Sequence, residues 1–131
     1  MKLQKIKGPL CMPASMAMLF DTTVEDIISF IGHHGLDVVD GKYSGIHIQE
    51  MQRYALHHGY ALVCYEPMPN LQGRVVNVWK EDFPLDKFEG LLLGETEKGG
   101  FHCVAWDKFD IFNPTDAELV GFHQFWAKVK I

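Results

Sequence analysis

The order of apolar patterns along the 131-residue chain predicts an α+β fold, with N-terminal helices packed on a C-terminal antiparallel sheet. Up to Gly59, apolar residues recur at helical spacing between capping and glycine signals. After Gly59 the pattern changes to short apolar runs separated by turn residues, which is typical of strands. The length suits one compact core, so we expect a single domain, helical at about 9–59 and sheet-forming at about 60–131.

Apolar content and capping signals predict the first two helices. The segment from Met12 to Phe20 is nearly all apolar, so we expect a short helix at the centre of the domain. Either threonine of Asp21-Thr22-Thr23, paired with the acidic residue three positions later, can cap a second helix. Gly32 to Gly35 ends that helix, and its packing face consists of Val24, Ile27, Ile28 and Ile31.

A loop and a third helix follow. Residues 37–45 are polar and contain several glycines, which favours a loop. The third helix is predicted from about Ile46 to His58, with Ile48, Met51 and Ala55 facing inward. Gly59 is the residue type that most often follows a helix C-terminus.

The second half of the chain contains five strand candidates, which are Tyr60–Tyr65 (closed by Pro67 and Pro69), Arg74–Trp79, Phe88–Gly94, Phe101–Trp106 and Phe109–Phe112. The last two surround Asp107-Lys108, so we expect them to form a hairpin. The tail from Val120 to Ile131 is compatible with a short helix or a last strand, and the sequence does not distinguish the two.

Composition excludes several classes of protein. The net charge of −5 and the absence of a basic face argue against nucleic-acid binding through phosphates. No apolar run approaches the ~18–20 residues that a membrane-spanning helix needs. The N-terminus is basic, but Gly8 and Pro9 interrupt any hydrophobic region of a signal peptide, so we expect a cytoplasmic protein without a membrane partner.

The cysteines and histidines do not suggest a metal site. Cys11, Cys64 and Cys103 are an odd number without CxxC spacing. The pairs His33-His34 and His57-His58 close helices, where adjacent side chains diverge and cannot hold one ion together. We expect neither a metal nor a cofactor.

Cys11 lies where a loop containing Gly8 and Pro9 enters the first helix, and Pro13 follows in the first helical turn. The unpaired N–H groups and the positive end of the dipole at a helix N-terminus favour a thiolate. A cysteine in this position is therefore a candidate nucleophile near neutral pH.

A candidate base and its orienting group lie on the predicted hairpin. Thiol catalysis needs a base within reach of the sulfur and a third group that orients the base. His102 begins one hairpin strand and Asn113 ends the other, so pairing about Asp107 places them almost opposite each other. Together with Cys11 they would form a Cys-His-Asn arrangement. Cys103, the next residue on the strand, should point to the opposite face and into the core.

Four segments carry a resemblance to small papain-like cysteine peptidases, in particular the branch that removes double-glycine leaders from bacteriocins. They are Gly8-Pro9-Leu10-Cys11-Met12-Pro13-Ala14-Ser15-Met16-Ala17-Met18, Gly45–Met51 with His58-Gly59-Tyr60, Gly100–Trp106, and Phe112-Asn113-Pro114. They resemble the nucleophile helix, the second helical element, the histidine strand and the Asp-Pro strand end of that family. The resemblance covers most of the chain and implies a papain-like fold.

The resemblance also implies roles for individual residues. Cys11 would be the nucleophile, His102 the general base and acid, Asn113 the orienting residue and Gln4 the oxyanion donor. The chain differs from the family pattern at three points: Met12 replaces a glycine, Gln4 lies one residue further from the cysteine, and Asn113 stands where this branch mostly has Asp.

These features together predict a thiol hydrolase that cleaves a peptide or isopeptide bond in a peptide or protein substrate. Two alternatives stay open at this stage. The same triad could serve a deamidase or transglutaminase that attacks a side-chain amide. The chain could also be a catalytically inactive papain-like module that binds a peptide or protein. The oligomeric state does not follow from the sequence.

Overall fold

The computed structural model describes residues 1–6, 9–66 and 83–131. Within them, three helices pack against a five-stranded antiparallel sheet, which confirms the predicted α+β class. The elements are α1 (Cys11–Leu19), α2 (Val24–Ile31), β1 (Val38–Val39), β2 (Lys42–Tyr43), α3 (Ile48–His57), β3 (Tyr60–Tyr65), β4 (Gly90–Thr96), β5 (Phe101–Trp106), β6 (Ile111–Phe112) and β7 (Leu119–Lys130).

The central position of α1 and the two ends of α2 follow from features that the sequence shows. In α1, every residue from Pro13 to Leu19 is buried, which confirms its central position. Thr23, rather than Thr22, caps α2: its hydroxyl accepts the Asp26 N–H at 3.1 Å. Gly32 then ends α2 with a left-handed φ of 87°.

The sheet has the strand order β3-β7-β4-β5-β6. β7 therefore lies between β3 and β4, with Leu62 opposite Lys128 on one side and Leu91 opposite Trp126 on the other. The tail that the sequence left undecided is thus a central strand of 12 residues. A strand with neighbours on both edges and apolar packing on both faces lacks a clean two-residue alternation, which explains the ambiguity.

Apolar side chains fill both faces of the sheet. Leu62, Leu91 and Cys103 belong to the cluster that includes the buried residues of α1, α2 and α3. The opposite face carries a second cluster, made of Phe83, Leu85, Leu92, Val104, Trp106, Phe122, Phe125 and Ala127. β5 contributes to both clusters, so its alternate side chains are anchored on either side.

Two sequence predictions need correction. The predicted loop at 37–45 contains the exposed hairpin β1–β2, whose turn residues Asp40 and Gly41 have φ of 52° and 79°. Asp-Gly is a strong signal for such a two-residue turn. The strand predicted at Phe109–Phe112 is shorter, because Asp107 Oδ1 accepts the N–H groups of both Phe109 and Asp110 and holds these residues in the turn.

Other predictions agree with the structure to within two residues or fall outside its described part. The strand predicted at Phe88–Gly94 is Gly90–Thr96, and the helix predicted at Ile46–His58 is Ile48–His57. The strands Tyr60–Tyr65 and Phe101–Trp106 are confirmed with the predicted bounds. Gly8, Pro67, Pro69 and the strand predicted at Arg74–Trp79 lie outside the described residues. Among the helices of the described residues, none has the length and apolar character needed to span a bilayer.

Candidate active site

The thiol of Cys11 lies at the open N-terminus of α1. Cys11 is the first helical residue, and the preceding Leu10 provides no side-chain cap. The first-turn N–H groups of Cys11 and Met12 face the sulfur, whereas Pro13 has no N–H to contribute. The N–H of Cys103 on β5 also faces the sulfur, so the thiol lies against the residue that follows His102.

Burial determines the protonation state of this thiol. Burial raises the pKa of Cys11 above its ordinary value, and the N–H groups of Cys103, Met12 and Cys11 offset only part of this increase. The contribution of the helix N-terminus, which favours a thiolate, is thus smaller than the effect of burial. Cys11 is a neutral thiol near pH 7, and it needs a base.

His102 is buried on β5 and bonded to Asn113. Its Nε2 lies 2.8 Å from Asn113 Oδ1 and 3.3 Å from Thr115 Oγ1. The imidazole is only 6% exposed, so these neighbours are the ones that set its orientation. The structure therefore brings together His102 and Asn113, as the sequence predicts, and adds Thr115.

The hairpin register explains why Thr115 is present. β5 and β6 pair Ala105 with Phe112 and Trp106 with Ile111. Continued toward the start of β5, this register places position 115, rather than 113, opposite His102. Asn113 reaches the imidazole diagonally. Sequence reasoning missed Thr115 because a register difference of two residues in a hairpin cannot be resolved from turn residues alone.

The surrounding hydrogen bonds fix the amide of Asn113. Its Nδ2 donates to Ala117 O at 2.5 Å, and its Oδ1 accepts the N–H of Thr115 at 3.1 Å. Only the oxygen can therefore face His102, so Nε2 carries the imidazole hydrogen and donates a hydrogen bond to Asn113 Oδ1. In the neutral imidazole, the remaining nitrogen, Nδ1, is the basic one.

Within the described residues, no hydrogen bond joins the Cys11 thiol directly to His102. The two side chains are instead linked through the backbone of Cys103, which follows His102 and whose N–H faces the Cys11 sulfur. Catalytic hydrogen bonds in resting enzymes are often long and tighten only in the complex with substrate.

The structure places Gln4 away from Cys11. Its Nε2 donates to Thr22 O at 2.6 Å, and its N–H contacts the sulfur of Met18 at 3.1 Å. Both partners lie at the C-terminal end of α1, whereas Cys11 begins the helix. The structure therefore does not bring Gln4 to the place that an oxyanion donor would occupy, because these bonds hold it at the far end of α1.

The other cysteines have different environments. Cys103 is 2% exposed and belongs to the core, as predicted. Burial, together with the nearby Cys11, raises the pKa of Cys103. Cys64 lies exposed on β3, where partial burial and the charge of Glu66 raise the pKa of its thiol to about 11. Cys11 is therefore the half-buried cysteine that has N–H donors around its sulfur.

A cavity of about 230 Å³ adjoins Asn113, and its lining consists of Val104, Ile111, Asn113, Glu118, Leu119 and Phe122. No group of three or more His, Cys, Asp or Glu side chains is arranged to hold a metal in the described part of the chain.

No protein-family model matches the chain, and no curated protein matches it.

Proposed function

We propose that the chain is a papain-like thiol hydrolase that cleaves a peptide or isopeptide bond. The observation that carries the proposal is the 2.8 Å hydrogen bond between His102 on β5 and Asn113, which follows β6. His102 directly precedes Cys103, whose N–H faces the Cys11 thiol. Support comes from two further contacts: His102 and Asn113 lie on one hairpin, and the N–H of Cys103, the residue after His102, faces the sulfur at the start of α1.

The first half of the reaction forms an acyl-enzyme. His102 removes the proton from the neutral thiol as the Cys11 sulfur attacks the carbonyl carbon of the substrate. The negative charge on the carbonyl oxygen is stabilised by N–H groups at the start of α1, which are those of Cys11 and Met12. The tetrahedral intermediate then collapses: the carbon–nitrogen bond breaks, His102 returns its proton to the leaving amine, and a thioester remains.

The second half regenerates the enzyme. His102, now neutral, takes a proton from a water molecule as that water attacks the thioester carbonyl. The carbon–sulfur bond breaks, the carboxylic acid leaves, and the Cys11 sulfur recovers a proton from His102. Asn113 holds the imidazole in one tautomer throughout. Because it is a neutral amide, it stabilises the imidazolium less than a carboxylate would.

A second candidate function is a non-catalytic papain-like module that binds a peptide or protein. The raised pKa of the Cys11 thiol and the bonds that hold Gln4 at Thr22 favour it. A deamidase or transglutaminase that uses the same triad is a chemical variant of the proposed hydrolase, and the products distinguish the two.

Incubation with a mixed peptide library, followed by mass spectrometry, tests the proposal. We expect new peptide ends with the native chain and none with Cys11→Ala, whereas Cys64→Ala should retain activity because Cys64 lies on β3 with none of the triad contacts. A gain of one dalton at glutamine or asparagine, without cleavage, would instead indicate deamidation. Retention of intact peptides by both the native chain and Cys11→Ala, with no product, would favour the binding module.

A further inference from the structure

The main chain of Cys103 contacts α1 at two points. Ser15 Oγ donates a hydrogen bond to Cys103 O at 3.0 Å, and the Cys103 N–H faces the Cys11 sulfur. Cys11 and Ser15 are four residues apart on α1, so they lie on the same face of the helix one turn apart. Consecutive turns of one helix therefore hold the two polar groups of a single strand residue.

This contact lies on a part of β5 that β6 does not cover. β6 pairs with Ala105 and Trp106 of β5, whereas Cys103 lies opposite Leu93 of β4 on the other side of the strand. Ser15 therefore contacts the Cys103 carbonyl from α1, beyond the end of the β5–β6 pairing. Because Ser15 is completely buried, water cannot replace its hydroxyl without a rearrangement of the core.

We infer that Ser15 is a positioning residue that controls the reactivity of Cys11. Its hydroxyl fixes the position of the first turn of α1 along β5. That position keeps the Cys103 N–H on the sulfur and sets the distance from the sulfur to His102, which precedes Cys103. Loss of the hydroxyl removes this hydrogen bond between α1 and β5, which loosens their contact and weakens the Cys103 N–H contact that offsets part of the cost of burying the thiolate. The inference rests on the proposed function, since it concerns the reactivity of the same nucleophile.

The test measures the rate at which chloroacetamide modifies Cys11 as a function of pH. All proteins carry Cys64→Ser to remove the exposed thiol, and peptide mapping assigns the modified residue. We expect Ser15→Ala to shift the profile toward higher pH by about one unit, which lowers the rate at pH 7 about tenfold. Ser15→Thr retains the hydroxyl, so its profile should stay close to that of the parent. Ser29→Ala, at an exposed serine of α2, is the matched control and should leave the profile unchanged.

An unchanged profile in folded Ser15→Ala would overturn the inference. If Ser15→Ala does not fold, Ser15→Cys takes its place: a thiol is a weak donor, so an intermediate shift supports the inference and an unchanged profile overturns it. His102→Ala separates this result from the proposed function. If His102→Ala leaves the rate unchanged, the proposed hydrolase fails, while the difference between Ser15→Ala and the parent still decides the role of Ser15.

Discussion

Replacement of Asn113 tests whether this amide sets the tautomer of His102. In the native chain Asn113 Nδ2 donates a hydrogen bond to the Ala117 carbonyl, so Asn113 Oδ1 must accept a hydrogen bond from His102 Nε2. Asn113→Ala removes that acceptor from a buried imidazole, and an unpaired buried donor costs about 1–3 kcal/mol. Thr115 Oγ1, at 3.3 Å, remains as a longer acceptor, so we expect a cost near the lower end. A cost of about 1.4 kcal/mol corresponds to a tenfold decrease in the preference for the Nε2–H tautomer.

Long-range ¹H–¹⁵N correlation spectra of the His102 ring report this tautomer directly. We expect the native ring to carry its proton on Nε2, and Asn113→Ala to show a mixture together with a roughly tenfold slower modification of Cys11 by chloroacetamide. A native ring protonated on Nδ1, or an Asn113→Ala variant with native spectra and rate, would refute the reasoning.

Asn113→Asp changes the same site in a different way. The carboxylate still accepts hydrogen bonds from His102 Nε2 and from the Thr115 N–H. It cannot donate to Ala117 O, so its second oxygen faces that carbonyl oxygen without a hydrogen between them. We expect Cys11 to be modified faster, because a carboxylate stabilises the imidazolium, while urea unfolding shows a stability about 1 kcal/mol lower. A slower reaction in a folded variant would show that charge at this position does not assist the base.

Three further variants test the fold and the placement of residues. Gly94→Ala would put a Cβ 1.9 Å from a backbone carbonyl oxygen of β7, so we expect the free energy of unfolding in urea to fall by about 3 kcal/mol or more. Gly100→Ala is the control: its Cβ would meet nothing closer than 3.7 Å, so its stability should be nearly unchanged. Burial raises the pKa of Glu50, but hydrogen bonds from the His47 N–H and the His33 ring lower it more. Ionised Glu50 therefore stabilises the folded chain above the ordinary carboxyl pKa of about 4.3, and this contribution is lost as the pH falls through the lowered pKa. Urea titrations at several pH values should show that the stability of Glu50→Gln falls less at acid pH than the stability of the native chain. An equal fall in the two proteins would contradict this role of Glu50. Gln4→Ala should leave the modification rate of Cys11 within about twofold. It should lower the free energy of unfolding by about 1 kcal/mol, because the Gln4 side chain donates a hydrogen bond to Thr22 O, just beyond the end of α1. A large drop in the rate without a loss of stability would instead indicate that Gln4 acts at the site.

Local signals in the sequence account for the features that it predicts correctly. Thr23 and Gly32 delimit α2 through interactions within a few residues. The strand Phe101–Trp106 places His102 and Cys103 on opposite faces, because strand side chains alternate whatever the neighbours are. The association of His102 with Asn113 also follows from one hairpin, whose strands are close in the sequence.

Features that depend on distant parts of the chain could not be predicted in the same way. Whether the C-terminal segment forms strand β7 depends on pairing with β3 and β4, which are far away in sequence. The raised pKa of the Cys11 thiol results from burial in the folded chain, and the helix position alone indicated the opposite. The link between Ser15 and Cys103 spans 88 positions and joins a helix to a strand, so spacing gives no indication of it.

The dependence of Cys11 reactivity on His102 tests the proposed chemistry most directly. With Cys64→Ser as background, chloroacetamide modification of Cys11 is followed at pH 7 in the parent and in His102→Ala. Because burial leaves the thiol neutral, its reaction requires a base, and we expect His102→Ala to slow the modification by roughly 10²-fold. Equal rates in the two folded proteins would show that His102 does not act on the thiol, and would contradict the assignment of a catalytic triad.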